Sequence, residues 1–315
     1  MEKLIVSTSP HIRVEEDVGS IMRDVIFSLL PTTLIGVVIF GLHALYVVLT
    51  AVSVAILSEA IIQRLMKREI TVRDGSAAIT GLLLALNLPP SAPLWMTCIG
   101  AGLAIGLGKQ VYGGLGYNPF NPALIARVIL LVSFPVQMTT WTDPLFIDAK
   151  TGATPLGILK EQGIEAASQI SLLSLFLGET SGCIGEVSAV ALLVGAIYLL
   201  IKGHITWHIP ISFIGTAGIF TLILWLFGIT ANPLFHILSG GLILGAFFMA
   251  TDMVTSPITK KGKIIFGIGC GILTVIIRLW AGYPEGVSFS ILIMNAFTPL
   301  IDRWRFTHPT KFGGK

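Results

Sequence analysis

Residues 76–93 read SAAITGLLLALNLPPSAP, and the reading of this stretch decides the fold. It is apolar on every helical face as far as Leu86, then meets Asn87 and the pair Pro89-Pro90. Each proline lacks an N–H and clashes with the turn before it, so a helix here must break. The break comes short of the roughly 20 apolar residues that cross a bilayer. Residues 243–257, ILGAFFMATDMVTSP, line up with residues 79–93 at an offset of 164 and also end on proline. Further along, Gly100 and Gly102 meet Gly267 and Gly269, Tyr112 meets Tyr283, and Asn121 meets Asn295. Two broken apolar segments in matching positions suggest a duplicated membrane protein with a ligand or ion route near its middle.

Composition agrees. Of 315 residues, 54% are hydrophobic and only 12% charged, and the mean hydropathy is +0.86. Soluble domains carry roughly 25% charge, so this chain has about half of what a water-facing surface uses. Ten candidate spans follow, at 24–41, 43–63, 76–89, 92–109, 121–137, 185–201, 208–228, 233–250, 262–280 and 285–301. Five spans per copy, an odd number, force the second copy to run opposite to the first. The sequence therefore predicts an all-α integral membrane protein of about ten transmembrane helices in two inverted five-helix repeats. It divides into a cytoplasmic N-terminal segment 1–23, a first repeat 24–137, an extracytoplasmic loop 138–184, a second repeat 185–301 and a cytoplasmic tail 302–315.

Charge placement orients that arrangement. With the N-terminus inside, 17 of the 20 Lys and Arg residues fall on the inner side, and only Lys150, Lys160 and Arg278 fall outside. Such a bias marks the cytoplasmic face. Both termini are then cytoplasmic and the 47-residue loop 138–184 is outside. The first 23 residues are polar, so no cleavable signal peptide is expected. A net charge of +3 is too small to imply nucleic acid as a partner; the lipid bilayer is the expected one. Cys98, Cys183 and Cys270 form no CxxC pair, and three thiols are one short of an iron–sulfur cluster. No catalytic set and no metal-ligand spacing stands out.

The outer loop contains Asp148-Ala149-Lys150-Thr151-Gly152-Ala153-Thr154-Pro155-Leu156-Gly157. Gly152 opens backbone conformations closed to other residues, and Pro155 holds Thr154 away from helical angles. Read from the residues alone, Thr154 is an N-cap with Pro155 at the first helical position; alternatively, its hydroxyl is offered on a stiff turn for chemistry. Glu59, Glu186, His236, Asp252 and Arg278 are the ionisable residues in or near apolar spans, where charge is costly enough to suggest function. Position offers each of the acids a simpler account: Glu59 reaches water near Arg64, Glu186 starts a helix and Asp252 ends one.

The stretch Thr151-Gly152-Ala153-Thr154 resembles the Ser/Thr-Gly-Ala-Thr flavinylation motif of the NqrB/RnfD family, membrane components of ion-translocating oxidoreductases. Matches to that family also occur at Ser9-Pro10-His11-Ile12-Arg13, Asp74-Gly75-Ser76-Ala77, Leu86-Asn87-Leu88-Pro89-Pro90 and Gly113-Gly114-Leu115-Gly116-Tyr117-Asn118-Pro119-Phe120-Asn121-Pro122-Ala123. Ala250-Thr251-Asp252, Thr255-Ser256-Pro257 and Gly282-Tyr283-Pro284-Glu285-Gly286-Val287-Ser288-Phe289 extend the resemblance over nearly the whole chain. Length and the short N-terminus look more like the RnfD branch, which belongs to the Rnf electron transport complex.

The resemblance implies covalent FMN, joined through its phosphate to the hydroxyl of Thr154, with Thr151, Gly152, Ala153 and Pro155 forming the motif around it. It allows riboflavin or another noncovalent flavin near residues 113–121, a stretch that the residues alone also describe as a cytoplasmic turn. It implies a bacterial or archaeal cell membrane, flavin and iron–sulfur partner subunits, and electron transfer between ferredoxin and NAD coupled to Na⁺ or H⁺ movement. A quinone-reducing protein of the NqrB type and a solute channel or permease are the alternative readings.

Overall fold

The computed structural model describes residues 17–144, 152–186 and 188–303. Two long helices come first, α1 (Val18–Phe40) and α2 (Leu42–Leu65), separated by Gly41 alone, at φ +82°. Only glycine adopts such a backbone without strain, so the hairpin turns in one residue. Helices α11 (His208–Leu226) and α14 (Lys260–Trp280) are comparably long and apolar; by length and composition these four can cross a membrane. Their outward faces carry Leu34, Val38, Leu57, Ile61 and Leu226, all exposed. An apolar exterior of this extent belongs against lipid.

Around these four are helices that stop short. α3 (Ser76–Leu86) is buried at ten of its eleven positions, as expected of a helix apolar all round. At Gly81 it lies so close to α2 that a Cβ would sit 2.7 Å from the Ala51 carbonyl. α3 stops at Asn87, whose Nδ2 donates to the Leu83 carbonyl at 2.7 Å. The segment 88–93, buried over most of its length, follows. Next is α4 (Leu94–Ile105), which ends in a π turn at Gly106–Gln110. α5 (Pro122–Ser133) begins on Asn121, whose Oδ1 accepts from the Ala123 and Leu124 amides, and Pro122 takes the first position. Pro135 then starts a separate short helix, α6 (Pro135–Thr139).

Three short helices, α7 (Pro155–Gln162), α8 (Ile164–Ser168) and α9 (Leu172–Leu177), fold over the connection. Leu156, Ala167 and Leu175 there pack with Ala231 and Phe235 in a small core of their own. The chain continues through α10 (Ala189–Lys202), α11, α12 (Pro233–Leu238), α13 (Leu242–Leu244) with a π turn at Gly245–Met249, α14 and α15 (Val287–Arg303). α2 packs on α3 and α4, α11 on α14, α4 on α5 and α14 on α15; α1 meets α10, and α5 meets α15.

Helix lies in all ten expected segments, with two differences. Segment 121–137 is interrupted at Phe134, where the proline after it forbids a continuous ladder. Segment 233–250 is broken at 239–241, where Gly240 has φ +59°. Neither interruption changes the apolar character that periodicity reads.

Candidate functional site: a cavity beside Thr154

Thr154 sits immediately before α7 with extended backbone angles, and its Oγ1 accepts the Gly157 amide at 3.1 Å. The N-cap reading of the residues is therefore what the local geometry contains. The cap uses an oxygen lone pair and leaves the O–H uncommitted. Thr154 is 7% exposed, and it lines a cavity of about 470 Å³. Arg127, Trp141, Tyr283, Glu285 and Phe289 line it too. That volume lies within the range of roughly 300–1,000 Å³ common to small-molecule sites.

The motif glycine has a steric reason. A side chain at Gly152 would overlap the Asp143 carboxylate and come within 2.6 Å of the Ser181 hydroxyl, and Ser181 donates to Asp143. Gly157 has a similar role, because a Cβ there would stand 3.2 Å from Thr154 Oγ1. Pro155 is buried as the first residue of α7 and Ala153 is exposed. Thr151, like Lys150, lies outside the described residues. The aromatic wall is ordered by the Tyr283 and Phe289 rings, stacked with centroids 5.8 Å apart.

Two buried arginines frame this side of the bundle, and each covers the end of a broken helix. Arg127 donates through Nε to the Asn87 carbonyl at 3.2 Å, pairs with the Glu285 carboxylate and donates to Ser288. Arg278 donates to the His236 carbonyl at 2.5 Å, to Ser239 at 3.0 Å and to the Glu285 carbonyl at 3.2 Å. Carbonyls freed by a helix break inside an apolar layer need such donors. Sequence reasoning grouped Arg127 with the inner-side charges and did not single it out. Its position six residues into an apolar helix was the signal, by the same rule that drew attention to Glu59 and Arg278.

The opposite end of α3 holds a different cluster. Glu59 is fully buried and meets Lys109 Nζ at 2.5 Å, so it does not reach water near Arg64 as its position on α2 suggested. Lys109, counted among the inner-side charges, is 2% exposed. It also donates to Ser76 Oγ at 2.5 Å, and Gln110 Nε2 donates to Glu59 at 2.8 Å. The π turn at Gly106–Gln110 delivers both side chains; such widened turns recur at functional positions. A cavity of about 130 Å³ adjoins Lys109, Asn118 and Asn121. Glu186 lies in a turn ahead of α10 rather than at its first residue.

Comparison with known proteins supplies the family. Residues 5–313 match the NQR2, RnfD, RnfE family. The chain belongs to that family. Among curated NQR2/RnfD/RnfE proteins, it is 50% identical to the D subunit of the proton-translocating ferredoxin:NAD(+) oxidoreductase complex of Clostridium ljungdahlii, over 98% of this chain and 96% of the relative. It is also 50% identical to the D subunit of the Na(+)-translocating ferredoxin:NAD(+) oxidoreductase complex of Acetobacterium woodii, over 96% and 93%. The D subunit of an ion-translocating oxidoreductase complex from Alcanivorax borkumensis is 41% identical over 99% of this chain and 97% of the relative. Two relatives at equal identity are named for different ions, so overall similarity within the family does not choose between Na⁺ and H⁺.

Proposed function

We propose that this chain is the D subunit of an ion-translocating ferredoxin:NAD oxidoreductase complex and carries FMN as a phosphoester on Thr154. The observation that carries the proposal is the position of Thr154 on the wall of the 470 Å³ cavity. Trp141, Tyr283 and Phe289 give that cavity aromatic surface for a planar ring system, and Arg127 gives it a cation. A phosphoester at Oγ1 would replace the hydroxyl hydrogen and leave the oxygen to cap Gly157. The first turn of α7 favours an anion there, because helix N-termini carry partial positive charge.

When bound, FMN supplies electron-transfer chemistry that protein side chains do not. Thr154 would hold it beside its partners at high effective concentration. Arg127, fixed by Asn87 and Ser288, would stay in place as charge on the flavin changes. A noncovalent flavin near residues 113–121 would adjoin the 130 Å³ cavity at Asn118 and Asn121.

The proposed arrangement is ten crossings in two inverted five-helix repeats, with both termini cytoplasmic and Thr154 outside. The pairings α1 with α10 and α5 with α15 support it, since each joins elements at equal places in the two halves. The interrupted α3 and the interrupted α12–α13 also match. Flavin and iron–sulfur subunits of the same complex would handle ferredoxin and NAD.

The test is in-gel flavin fluorescence of the complex under denaturing conditions. Wild type should fluoresce at the band of this chain and Thr154→Ala should not. Equal fluorescence in both would end the proposal. NAD rather than quinone reduction by the purified complex separates it from the NqrB type; a colourless protein that passes solute would instead be a channel.

A further inference from the structure

Beside the large cavity is a second one of about 10 Å³, lined by Thr154, Ser181, Glu186, Ser239 and Glu285 among others. That is about the space one water-sized sphere occupies. Its lining residues carry oxygen atoms without partners. Ser239 is 1% exposed, and its Oγ is buried with no hydrogen-bond partner among the described residues; Glu285 Oε1 is in the same condition. The carboxylate of Glu186 approaches that of Glu285, the two falling with the Cys183 thiol within a 4.8 Å group. Unpaired buried oxygens of this kind cost free energy unless something occupies the space between them.

The donor set says what that occupant is. Cys183 lies near both carboxylates but does not line the small cavity; its Sγ donates to the Asn87 carbonyl at 3.2 Å and receives Arg127 Nη2 at 3.7 Å. What faces the small cavity is carboxylate and hydroxyl oxygen, which suits a hard cation and not a thiolate-seeking metal. Charge points the same way. Arg127 and Arg278 balance Glu285 and Glu186, so these four side chains are neutral together. With Asp143, which accepts from Ser181 on the cavity wall, a phosphodiester on Thr154 would leave the surroundings negative, which favours a cation.

We propose that Glu186, Glu285 and Ser239 form a binding site for one small hard cation such as Na⁺, next to the Thr154 phosphoester. The charge argument rests on the flavin reading of Thr154; the oxygen cage does not. The site would place a transported cation where flavin charge is felt directly, and it gives a role to Glu186, which lies in the turn ahead of α10.

²³Na relaxation of the purified complex tests it, titrated with NaCl while choline chloride holds ionic strength. Wild type should show a saturable component. Glu186→Gln should remove it, and Ser239→Ala should raise its half-saturation by about tenfold, the loss of roughly one ligand interaction. Covalent flavin is read on the same samples by in-gel fluorescence. Half-saturation unchanged in both variants, or no saturable component in wild type, overturns the cation site and leaves a water-filled gap. If Glu186→Gln fails to assemble, Ser239→Ala decides alone. Absence of flavin from wild type overturns the Thr154 reading instead, and the comparison of Na⁺ titrations still judges the cage.

Discussion

At the Ser76 end of α3 a lysine and a glutamate neutralise each other directly, whereas on the Asn87 side Arg278 gives its donors to backbone carbonyls and Arg127 divides its own between the Asn87 carbonyl and the side chains of Glu285 and Ser288. The helix between them is eleven residues, about 16 Å at 1.5 Å per residue. The difference is in what each cluster stabilises. Lys109 and Glu59 answer each other at a π turn, and their remaining partners, Ser76, Gln63 and Gln110, are side chains. Arg127 and Arg278 answer the breaks in α3 and α12, which gives the molecule interrupted helices in an apolar layer. Glu285 beside them keeps one carboxylate oxygen without a partner among the described residues, as Glu59 does at the other end, and it is beside Glu285 that both cavities open around Thr154.

That contrast makes double mutants informative. Arg127→Met should destabilise the complex by about 3–5 kcal/mol, the cost typical of orphaning one partner of a buried pair. Adding Glu285→Leu should recover little, because the Asn87 carbonyl and Ser288 still lack their donor. Detergent-unfolding midpoints of both variants measure this, and full recovery would contradict the role given to Arg127. Lys109→Met should cost a similar amount alone, again about 3–5 kcal/mol, and Lys109→Met with Glu59→Leu should recover part of it, because the buried charge is gone while Gln63 and Gln110 lose their acceptor. A double mutant as unstable as the single would show that the cost is not that of an unpaired Glu59 charge.

Smaller effects probe the helix that joins the two. Gly81→Ala forces a methyl against the Ala51 carbonyl and should cost about 1–3 kcal/mol by overpacking, with hydrogen exchange rising equally at both ends of α3. Exchange altered at one end only would mean the clusters are independent. Smallest is Thr154→Ala, which should lower stability by only about 1 kcal/mol through the lost cap. Loss of flavin in that variant is then a loss of the attachment oxygen and not of the fold, while Thr154→Ser should keep both the cap and the flavin.

Much of the fold was legible because hydropathy and proline are local signals. The ends of α2, α11 and α14 fall within two residues of the expected spans, α1 starts six residues earlier than expected, at Val18, and Asn87-Leu88-Pro89-Pro90 announces its break outright. The break at 239–241 carries no proline, only Gly240 and Gly241 in an apolar run, so periodicity passes over it. Thr154 with Pro155 was legible both as a cap and as a motif. Arg127, Glu285 and Ser239 were not gathered around it, since they come from α5, the turn before α15 and the end of α12. Nothing within a window of residues ties Lys109 to Glu59, fifty positions away.

The sequence by itself determined the apolar class, the helical segments and the threonine that ends the Thr-Gly-Ala-Thr motif, because each depends on residues near one another in the chain. Only the tertiary structure decided which charges are buried, which oxygens are left without partners and which walls stand opposite Thr154. Those are properties of distance in space: burying a charge is tolerable only where a partner arrives from elsewhere in the chain, and helix packing alone fixes that arrival.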